Sequence, residues 1–367
     1  MKVLVTGSNG FIGKNLTTFL RKNNFEIITH VKEDTLDELI EKISITDAII
    51  HLAGLNRTTK NDLFKENNEN LTEFICKVLI EKKIKIPIFF SSSIQAANKS
   101  PYGKSKLACE EIFKSLNHSN GNPIVIYRLP GIFGKWCKPN YNSVVATFCH
   151  NVSNNIDLKI IEKDKILKLV YIDDVVKSIL KNLNKKFHGT NFININPEYK
   201  ISVHKLSEYI KRFKESRNNL KVDRVGTGFL KKLYATYSSY QNENQFSYLL
   251  EKNSDQRGDF VEILKTTNSG QFAYFTAYPG ITRGGHFHHT KCEKFVVVKG
   301  IAKFTFRNIL NKKYYEKVAE SKVPEVVESI PGWTHNIKNI GSDELVVFVW
   351  SSEVFDANNP DTYASKV

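Results

Sequence analysis

The fold of the first half of this chain is decided by residues 2–13, which read KVLVTGSNGFIG. KVLVT is a short apolar run that predicts a buried strand, and the periodic apolar residues of 11–20 predict a helix. Glycines in the intervening turn let the backbone approach a pyrophosphate, and the helix N-terminus offers it free N–H groups. The stretch therefore predicts a dinucleotide site, and its residues are Gly7, Asn9, Gly10, Phe11, Ile12 and Gly13.

The pattern of this first stretch repeats along the chain. A helical pattern covers residues 63–81. Further strand patterns lie at 25–31, 47–52, 86–91 and 123–128. Strands that alternate with helices imply a parallel sheet with right-handed crossovers. We expect an α/β, doubly wound parallel sheet of the Rossmann type.

The pattern changes after about residue 243. Short β-branched or aromatic segments, separated by Gly, Pro and Asn, occur at 271–278, 294–298, 302–307 and 344–350. Such spacing is typical of an antiparallel sandwich or barrel. We expect one domain at 1–243, which ends in a partly helical connector, and an all-β domain at 244–367.

The net charge of +15 at first suggests a nucleic-acid partner. Residues 1–243 hold 38 Lys and Arg against 24 Asp and Glu, whereas residues 244–367 hold 15 against 14. The excess is spread over the first part without an arginine-rich arm. A lysine-rich coding bias and attraction to a multiply anionic small molecule both explain it, and nucleic acid is not expected as a partner.

The five cysteines form no CxxC pair, and their number is odd. Both facts favour reduced thiols over a disulfide framework, so we expect a cytoplasmic protein. No apolar run approaches the roughly 20 residues that a membrane span needs. We therefore expect no membrane span.

The end of the second strand bears on the choice of cofactor. An acid at this point usually binds the free ribose 2′-hydroxyl of NADH. Here the strand ends in His30-Val31-Lys32, and acids follow only at Glu33 and Asp34. Because a cation suits a 2′-phosphate, we expect NADPH, with His30 and Lys32 at its binding site.

A second group of polar residues follows the later strands. Tyr102 and Lys106 are four residues apart in a predicted helix, so they share one face. A phenol titrates at about pH 10 and a nearby ammonium favours its anion, so we expect Lys106 to lower the pKa of Tyr102. Serines 91–93 end the preceding strand, where a hydroxyl can hydrogen-bond a carbonyl under reduction. The group predicts acid/base chemistry on a carbonyl.

Five motifs, TGSNGFIG, DAIIHLAG, FFSSS, YGKSK and YIDDVV, occur in this order within residues 1–240. In this they resemble the extended short-chain dehydrogenase/reductases that act on nucleotide sugars. The resemblance implies that Tyr102 is the general acid/base and Lys106 its partner. It implies that Ser93 is the carbonyl-binding hydroxyl and Asn68 a relay residue. It also implies cofactor contacts from Tyr102, Lys106, His51, Leu52, Ala53 and Gly54.

The substrate side departs from that family in one place. The family usually has Asn three residues after the Arg of the next strand, whereas Arg128 is followed here by Gly131. We expect Arg128 to contact the substrate, with Asn140 and Asn142 of the segment FGKWCKPNYNS at 133–143.

A metal site is predicted in the second half. His286 and His288 point to the same face of an extended strand, and Glu293 can return on the paired strand. His335, in PGWTHN, supplies a fourth ligand from a distant segment. Three imidazoles and a carboxylate suit Zn²⁺, Mn²⁺, Fe²⁺ or Ni²⁺, and zinc is our first expectation. The adjacent His289 projects to the other face and is expected at the surface.

Residues 245–367 resemble the cupin superfamily, which implies a jelly-roll barrel. The first metal motif fits throughout, and the second has its proline moved by one place, to Pro331. The segment DQRGDFVE at 255–262 resembles the start of cupin-type sugar-nucleotide 3,5-epimerases. That resemblance implies that Arg257 meets a substrate diphosphate.

A reductase joined to a cupin resembles the bifunctional enzymes of capsular polysaccharide synthesis. The resemblance implies a UDP-4-keto-6-deoxy-2-acetamido sugar as substrate, C3 epimerisation by the cupin, reduction of the C4 ketone with NADPH, and a homo-oligomer, expected to be a dimer. Two alternatives stay open. The first domain could keep a bound NAD as an epimerase or dehydratase, or the cupin could be a non-catalytic binding or dimerisation module.

Overall fold

The structure is a computed structural model that describes residues 1–58, 60, 62–250, 253–255, 258–260, 264, 270–353 and 358–367. Its contacts divide the chain into two compact units. The first unit comprises Met1–Ser143 and Ile166–Lys200, and the second comprises Val144–Lys165 and Ile201–Val367. Among the described residues, no helix combines the length and the apolar character that crossing a membrane requires.

The secondary structure follows the two patterns predicted from the sequence. The α-helices are α1 (Phe11–Lys22), α2 (Leu36–Ser44), α3 (Asp62–Phe64), α4 (Asn70–Glu81), α5 (Pro101–Asn120), α6 (Val144–Ser153), α7 (Ile172–Leu183), α8 (Val203–Asn219) and α9 (Gly228–Ser238). Residues Lys65–Glu69 form a π-helix, and Ile94–Ala97 and Glu243–Gln245 form 3₁₀ helices. The strands are β1 (Lys2–Thr6), β2 (Glu26–His30), β3 (Ala48–His51), β4 (Ile88–Ser93), β5 (Ile124–Leu129), β6 (Gly131–Phe133), β7 (Ile166–Tyr171), β8 (Thr190–Phe192), β9 (Tyr199–Ser202), β10 (Ser247–Leu249), β11 (Asn253–Asp255), β12 (Gly258–Phe260), β13 (Gln271–Ala277), β14 (Thr282–Phe287), β15 (Glu293–Lys299), β16 (Ile301–Asn308), β17 (Tyr314–Glu320), β18 (Glu325–Ser329), β19 (Trp333–Asn339), β20 (Leu345–Ser351) and β21 (Tyr363–Ala364).

The first unit is built on a six-stranded sheet in the order β2-β1-β3-β4-β5-β8. All pairings in this sheet are parallel, which confirms the Rossmann-type prediction. The four central strands are buried because helices cover them, and an apolar cluster that includes Leu4, Ile49, Phe90 and Phe113 forms the core between sheet and helices. In a parallel sheet the carboxyl ends of the strands share one edge, where ligands bind.

The second unit contains two five-stranded antiparallel sheets, in the orders β10-β18-β15-β20-β13 and β17-β16-β19-β14-β21. Their inner faces enclose a core that includes Phe246, Phe304, Phe306 and Trp333. This confirms the all-β, cupin-like prediction for the C-terminal part. Helices α8 and α9 belong to the same unit, and they confirm that the connector is partly helical.

The turn between β1 and α1 needs its glycines. Gly7 has φ of +68°, and a Cβ there would lie 2.8 Å from backbone atoms of Ala53. A Cβ on Gly13 would lie 2.4 Å from the Gly7 carbonyl oxygen. The turn can pack this closely against the residues that follow β3 and against α1 only because Gly7 and Gly13 have no side chains.

A buried ion pair joins the segment after β6 to α7. Lys135 Nζ lies 2.9 Å from Asp173 Oδ1, and the two side chains are 1% and 4% exposed. The Lys135 carbonyl also accepts a hydrogen bond from Asn15 Nδ2 at 3.3 Å. Removing one partner of such a pair leaves the other charge buried, so Lys135→Met should lower the free energy of unfolding by about 3 kcal/mol. Urea unfolding followed by circular dichroism measures this loss.

The exposed pair Lys114–Glu111 provides a matched control for that substitution. Its side chains are 33% and 59% exposed, so Lys114→Met should change stability by less than about 0.5 kcal/mol. Equal stability of the two methionine variants would contradict a structural role for the buried pair.

Candidate functional site

A cleft of about 550 Å³ lies in the first unit, at the carboxyl edge of its parallel sheet. The residues predicted for the dinucleotide and for the acid/base chemistry meet there. Those that line the cleft are Gly7, Asn9, Gly10, Phe11, Ile12, Gly13, Leu52, Gly54, Ser93, Tyr102 and Lys106, together with the predicted substrate residue Asn142. The sheet topology thus brings together motifs that are up to 135 residues apart in sequence, from Gly7 to Asn142.

Other predicted site residues that the structure describes lie outside this lining. They are His30, Lys32, His51, Ala53, Asn68, Arg128 and Asn140. Arg257 falls outside the described residues. His51 is 1% exposed and its ring bonds Thr6 and Thr72, and the cofactor contact that the resemblance implies for it stays a prediction. Burial lowers the pKa of His51 to about 3, so its ring is neutral.

Tyr102 sits in the first turn of α5, which Pro101 begins and the Ser100 side chain caps. Tyr102 and Ser93 both line the cleft. Burial raises the pKa of Tyr102, and the nearby Ser93 hydroxyl only partly opposes this. The expected lowering by Lys106 is therefore corrected for this structure. The phenol keeps its proton at neutral pH, which is the state that a proton donor needs.

Lys106 lies one helical turn after Tyr102 on α5 and is 5% exposed. Its Nζ donates a hydrogen bond to the Ser91 carbonyl at 2.9 Å and lies 4.8 Å from the centre of the Phe90 ring. Burial lowers the pKa of this ammonium, since the charged form loses its water. These contacts hold the Lys106 ammonium near the end of β4, where the residue lines the cleft.

Asn68 lies in the π-helix that precedes α4 and is 1% exposed. Its Oδ1 accepts from the Leu55 N–H at 2.7 Å, and its Nδ2 donates to the Leu55 carbonyl and to Ser105 Oγ, both at 3.0 Å. Asn68 therefore ties the loop after β3 to the helix of Tyr102. A relay role for Asn68 stays a prediction.

The end of β2 has a buried side and an exposed side. His30 is buried, and its ring nitrogen lies 3.5 Å from Asp34 Oδ2. The Asp34 carboxylate also accepts from the Val31 N–H at 2.9 Å and from Lys42 Nζ at 2.7 Å. Lys32 is exposed. The Asp34 carboxylate is thus engaged by Val31 and Lys42, whereas the Lys32 ammonium faces solvent.

Arg128 is held by Glu110, a buried carboxylate on α5. Its Nε donates to both oxygens of Glu110, at 2.9 and 3.2 Å, and its Nη2 donates to Oε2 at 2.6 Å. Ser92 Oγ donates to the same carboxylate. The guanidinium also lies 4.9 Å from the centre of the Phe192 ring. The pairing with Glu110 engages the Nε–H and one Nη2–H of Arg128, which are two of the five N–H donors of a guanidinium.

The cleft contains residues that sequence reasoning did not assign to the site. Gln95, Trp136, Lys138 and Tyr141 line it. Three of them belong to the segment 133–143, whose unusual run of Trp, Lys and Tyr was the available signal. The Tyr141 carbonyl accepts a hydrogen bond from Arg57. These side chains add aromatic surface and positive charge to the cleft that the glycine turn also lines.

The four predicted metal ligands come together in the second unit. One potential ligand atom from each of His286, His288, Glu293 and His335 lies within 4.8 Å of the others. Strands β14, β15 and β19 supply His286, Glu293 and His335, and His288 follows β14 by one residue. The register of β14 with β19 pairs His286 with His335, next to an irregularity between Gly284 and His286.

The hydrogen bonds of His288 support a cation at this position. Its Nδ1 bonds the Asp361 carbonyl oxygen, which can only accept, so Nδ1 carries the ring proton. In the neutral ring, Nε2 then presents a lone pair toward Glu293 Oε2 at 3.1 Å. Two acceptors at this distance need a proton or a metal ion between them. The donor set therefore fits a divalent metal.

Further groups orient the other ligands. Ser329 Oγ lies 2.8 Å from His335 Nδ1, and Ser351 Oγ donates to Glu293 Oε1 at 3.1 Å. Burial lowers the pKa of His335 to about 3, so this ring is neutral and able to ligate. The expectation that His289 lies at the surface is wrong, because it is 2% exposed and packs against Phe287 and Tyr363.

Two family models match separate parts of the chain. Residues 3–196 match the family described as the NAD dependent epimerase/dehydratase family. Residues 253–363 match the polysaccharide biosynthesis C-terminal domain.

Individual relatives extend this result to the whole chain. UDP-2-acetamido-2,6-beta-L-arabino-hexul-4-ose reductase of Pseudomonas aeruginosa is 48% identical, over 100% of this chain and 99% of the relative. The crystal structure of the capsular polysaccharide assembling protein CapF of Staphylococcus aureus is 36% identical, covers 100% of both chains and superposes with a TM-score of 0.67. UDP-N-acetylglucosamine 4-epimerase of Bacillus cereus is 24% identical over 58% of this chain and 82% of its own, with a TM-score of 0.52, which supports the fold alone.

Proposed function

The chain belongs to the NAD dependent epimerase/dehydratase family, and from this premise we propose a reaction for each of its two sites. It is a CapF-type nucleotide-sugar reductase and epimerase that acts on a UDP-2-acetamido-2,6-dideoxy-hexulose in capsular polysaccharide biosynthesis. The observation that carries this function is the 48% identity to the Pseudomonas aeruginosa reductase over the full length of the chain.

We assign reduction of the C4 ketone to the cleft of the first unit. NADPH, when bound along the glycine turn, supplies the hydride. Burial raises the pKa of Tyr102 further above neutrality, so its hydroxyl carries the proton that it would give to the C4 oxygen. Ser93 lines the same cleft, and its hydroxyl would bind the same oxygen. Lys106 lines the same cleft one helical turn from Tyr102, and its positive charge would favour the phenolate as that proton leaves.

We assign epimerisation at C3 to the second unit. A C3 proton next to a C4 ketone is acidic, since its removal gives an enolate in which the charge is shared with the carbonyl oxygen. Reprotonation on the opposite face inverts C3, and later reduction of the ketone fixes the new configuration. The product would be a UDP-6-deoxy-talosamine-type sugar on the route to UDP-N-acetyl-L-fucosamine.

We propose zinc at the cluster of His286, His288, Glu293 and His335. A divalent ion bound there would supply positive charge beside a substrate oxygen. The neutral His335 ring and the proton on His288 Nδ1 leave nitrogen lone pairs for such an ion. Three imidazoles with one carboxylate match the donors that zinc takes in proteins.

The proposal of NADPH over NADH depends on Lys32. Asp34 is engaged by Lys42 at 2.7 Å, so it is not free for a ribose hydroxyl, and Lys32 is exposed near the end of β2. A hydrogen bond to a charged group contributes about 1.5–3 kcal/mol, so Lys32→Ala should raise KM for NADPH by roughly tenfold or more. KM for NADH should stay the same. Initial rates with each cofactor measure the change.

Lys85 offers the control for this substitution. It is exposed and lies before β4, at the amino edge of the sheet. Lys85→Ala removes the same charge but should leave both KM values unchanged. If the Lys32→Ala enzyme keeps the same ratio of KM for NADPH to KM for NADH, this would contradict a contact between Lys32 and the 2′-phosphate.

The proposed function is tested by supplying UDP-2-acetamido-2,6-dideoxy-4-hexulose and NADPH in D₂O. We expect deuterium at C3 and loss of absorbance at the reduced-nicotinamide band in the same reaction. An NAD-retaining epimerase or dehydratase would instead purify with bound NAD and consume no NADPH. Absorbance loss without deuterium at C3 would leave the second unit as a non-catalytic module.

Three further assignments belong to the same proposal. The functional division is placed at residues 1–243 and 244–367, which accommodates both family matches. All five cysteines are free thiols in the structure, which agrees with a cytoplasmic enzyme that uses NADPH and a UDP-sugar. A homodimer is proposed from the resemblance to capsular enzymes, and sedimentation velocity tests it.

A further inference from the structure

The C-terminal segment 358–365 lies against the metal cluster of the second unit. Strand β21 pairs with β14, so that Ala364 is opposite His286 and Tyr363 is opposite Phe287. The Ser365 N–H donates to the Gly285 carbonyl at 2.8 Å. The segment therefore continues the sheet beside the first metal ligand, although it is about 75 residues away in sequence.

Asp361 fixes this segment to the turn after His288. Its Oδ1 accepts from the His289 N–H at 2.8 Å. Its Oδ2 accepts from the Thr290 N–H at 2.6 Å, from Thr290 Oγ1 at 2.7 Å and from the Lys291 N–H at 2.7 Å. Four donors on one carboxylate hold the turn in a single conformation, because hydrogen bonds to a charged acceptor are among the stronger ones in proteins.

The backbone of the same residue reaches a metal ligand. The Asp361 carbonyl accepts the proton of His288 Nδ1. This bond fixes the tautomer and the orientation of the ring, so that Nε2 faces the cluster. Next to it, Lys291 Nζ donates to Thr362 Oγ1 at 2.9 Å, which adds a second link between turn and segment.

We propose that residues 358–365 act as a clasp that orients His286 and His288 for the metal, with Asp361 as the positioning residue. The side chain of Asp361 holds the turn at 289–291, and this places its carbonyl on His288. The inference rests on the metal site of the proposed function and adds a residue that does not itself ligate.

The test measures metal binding by the full-length protein. Asp361→Asn keeps the size of the side chain but replaces one acceptor oxygen by a donor that meets N–H groups. Changes in groups that orient metal ligands typically cost 10–100-fold in affinity, so we expect the variant to bind Zn²⁺ roughly 10–100-fold more weakly in a chelator competition. Asp343→Asn, an exposed aspartate of the same unit, should bind as the wild type does.

A second readout separates positioning from general loss of stability. With Co²⁺ in place of Zn²⁺, the visible absorption reports ligand geometry, and we expect its position and intensity to change in Asp361→Asn but not in Asp343→Asn. If Asp361→Asn does not fold, Thr290→Val decides, since it removes one donor to the carboxylate and should weaken zinc binding by roughly fivefold.

If Asp361→Asn folds and keeps the zinc affinity and the cobalt spectrum of the wild type, the clasp is overturned. If Asp361→Asn does not fold, unchanged zinc affinity in Thr290→Val overturns the clasp. Failure of the wild-type protein to bind either metal would instead reject the metal site of the proposed function. The two failures are therefore distinguishable.

Discussion

Replacing Tyr102 by phenylalanine should abolish NADPH consumption while C3 proton exchange in D₂O continues. The substitution keeps the ring but removes the cleft-lining hydroxyl that we assign as the proton donor. Proton transfer by a positioned side chain contributes roughly 10²–10⁴-fold to rate, so the absorbance assay should fall by at least roughly 100-fold. Exchange should persist because we assign it to the second unit. The two signals are followed in one sample, by absorbance and by mass spectrometry of the sugar.

Tyr127 supplies the matched control. It is buried on β5, outside the cleft lining, and its hydroxyl accepts from Asn182 Nδ2 at 3.0 Å. Tyr127→Phe removes the same atom and should retain NADPH consumption. A folded Tyr102→Phe protein that has lost C3 exchange would reject the assignment of the two steps to separate sites.

Replacing His288 by alanine should deplete the bound metal. His288 is fully buried, its Nδ1 is held by the Asp361 carbonyl, and its Nε2 faces the cluster. Loss of a ligand should exceed the roughly 10–100-fold effect of losing a group that only orients one. Native mass spectrometry or elemental analysis of the purified protein measures the metal per chain.

The same variant shows what the metal does. If the ion takes part in epimerisation, the His288→Ala protein should lose C3 exchange but still reduce a substrate that already has the inverted C3. His204→Ala changes an exposed histidine on α8 and should keep both metal and activity. Wild-type metal content in His288→Ala would refute its role as a ligand.

The sequence predicted the elements whose signal is local. The glycine turn, the strand before it and the helix after it lie within 21 residues, and the structure reproduces them as β1 and α1. The grouping of His286 with His288 was also predictable, because alternation along a strand places them on one face. Glu293 and His335 lie on other strands, and their prediction depended on strand pairing and on the PGWTHN motif.

Features that depend on tertiary packing were not predictable in the same way. The pKa of Tyr102 rises because neighbouring elements bury it, and no local pattern reports that burial. His289 is enclosed by Tyr363, which lies 74 positions later in the chain. The link from Asp361 to His288 spans 73 positions. Arg128 was predicted to contact substrate from its place in the family pattern, and its ion pair with Glu110 was not predicted, because Glu110 lies on another element.

The π-helix at Lys65–Glu69 has a consequence for how this sequence can vary in length. A wider turn contains one more residue than α-helical winding would use over the same rise. Deleting a single residue there would let the segment wind as a regular α-helix, with α3 and α4 still in phase, but the extra residue of the wide turn would be lost. Asn68 lies in that turn, so its side chain would be displaced from Leu55 and Ser105. Insertions and deletions should therefore be tolerated in the exposed turns of the first unit and excluded from this short segment.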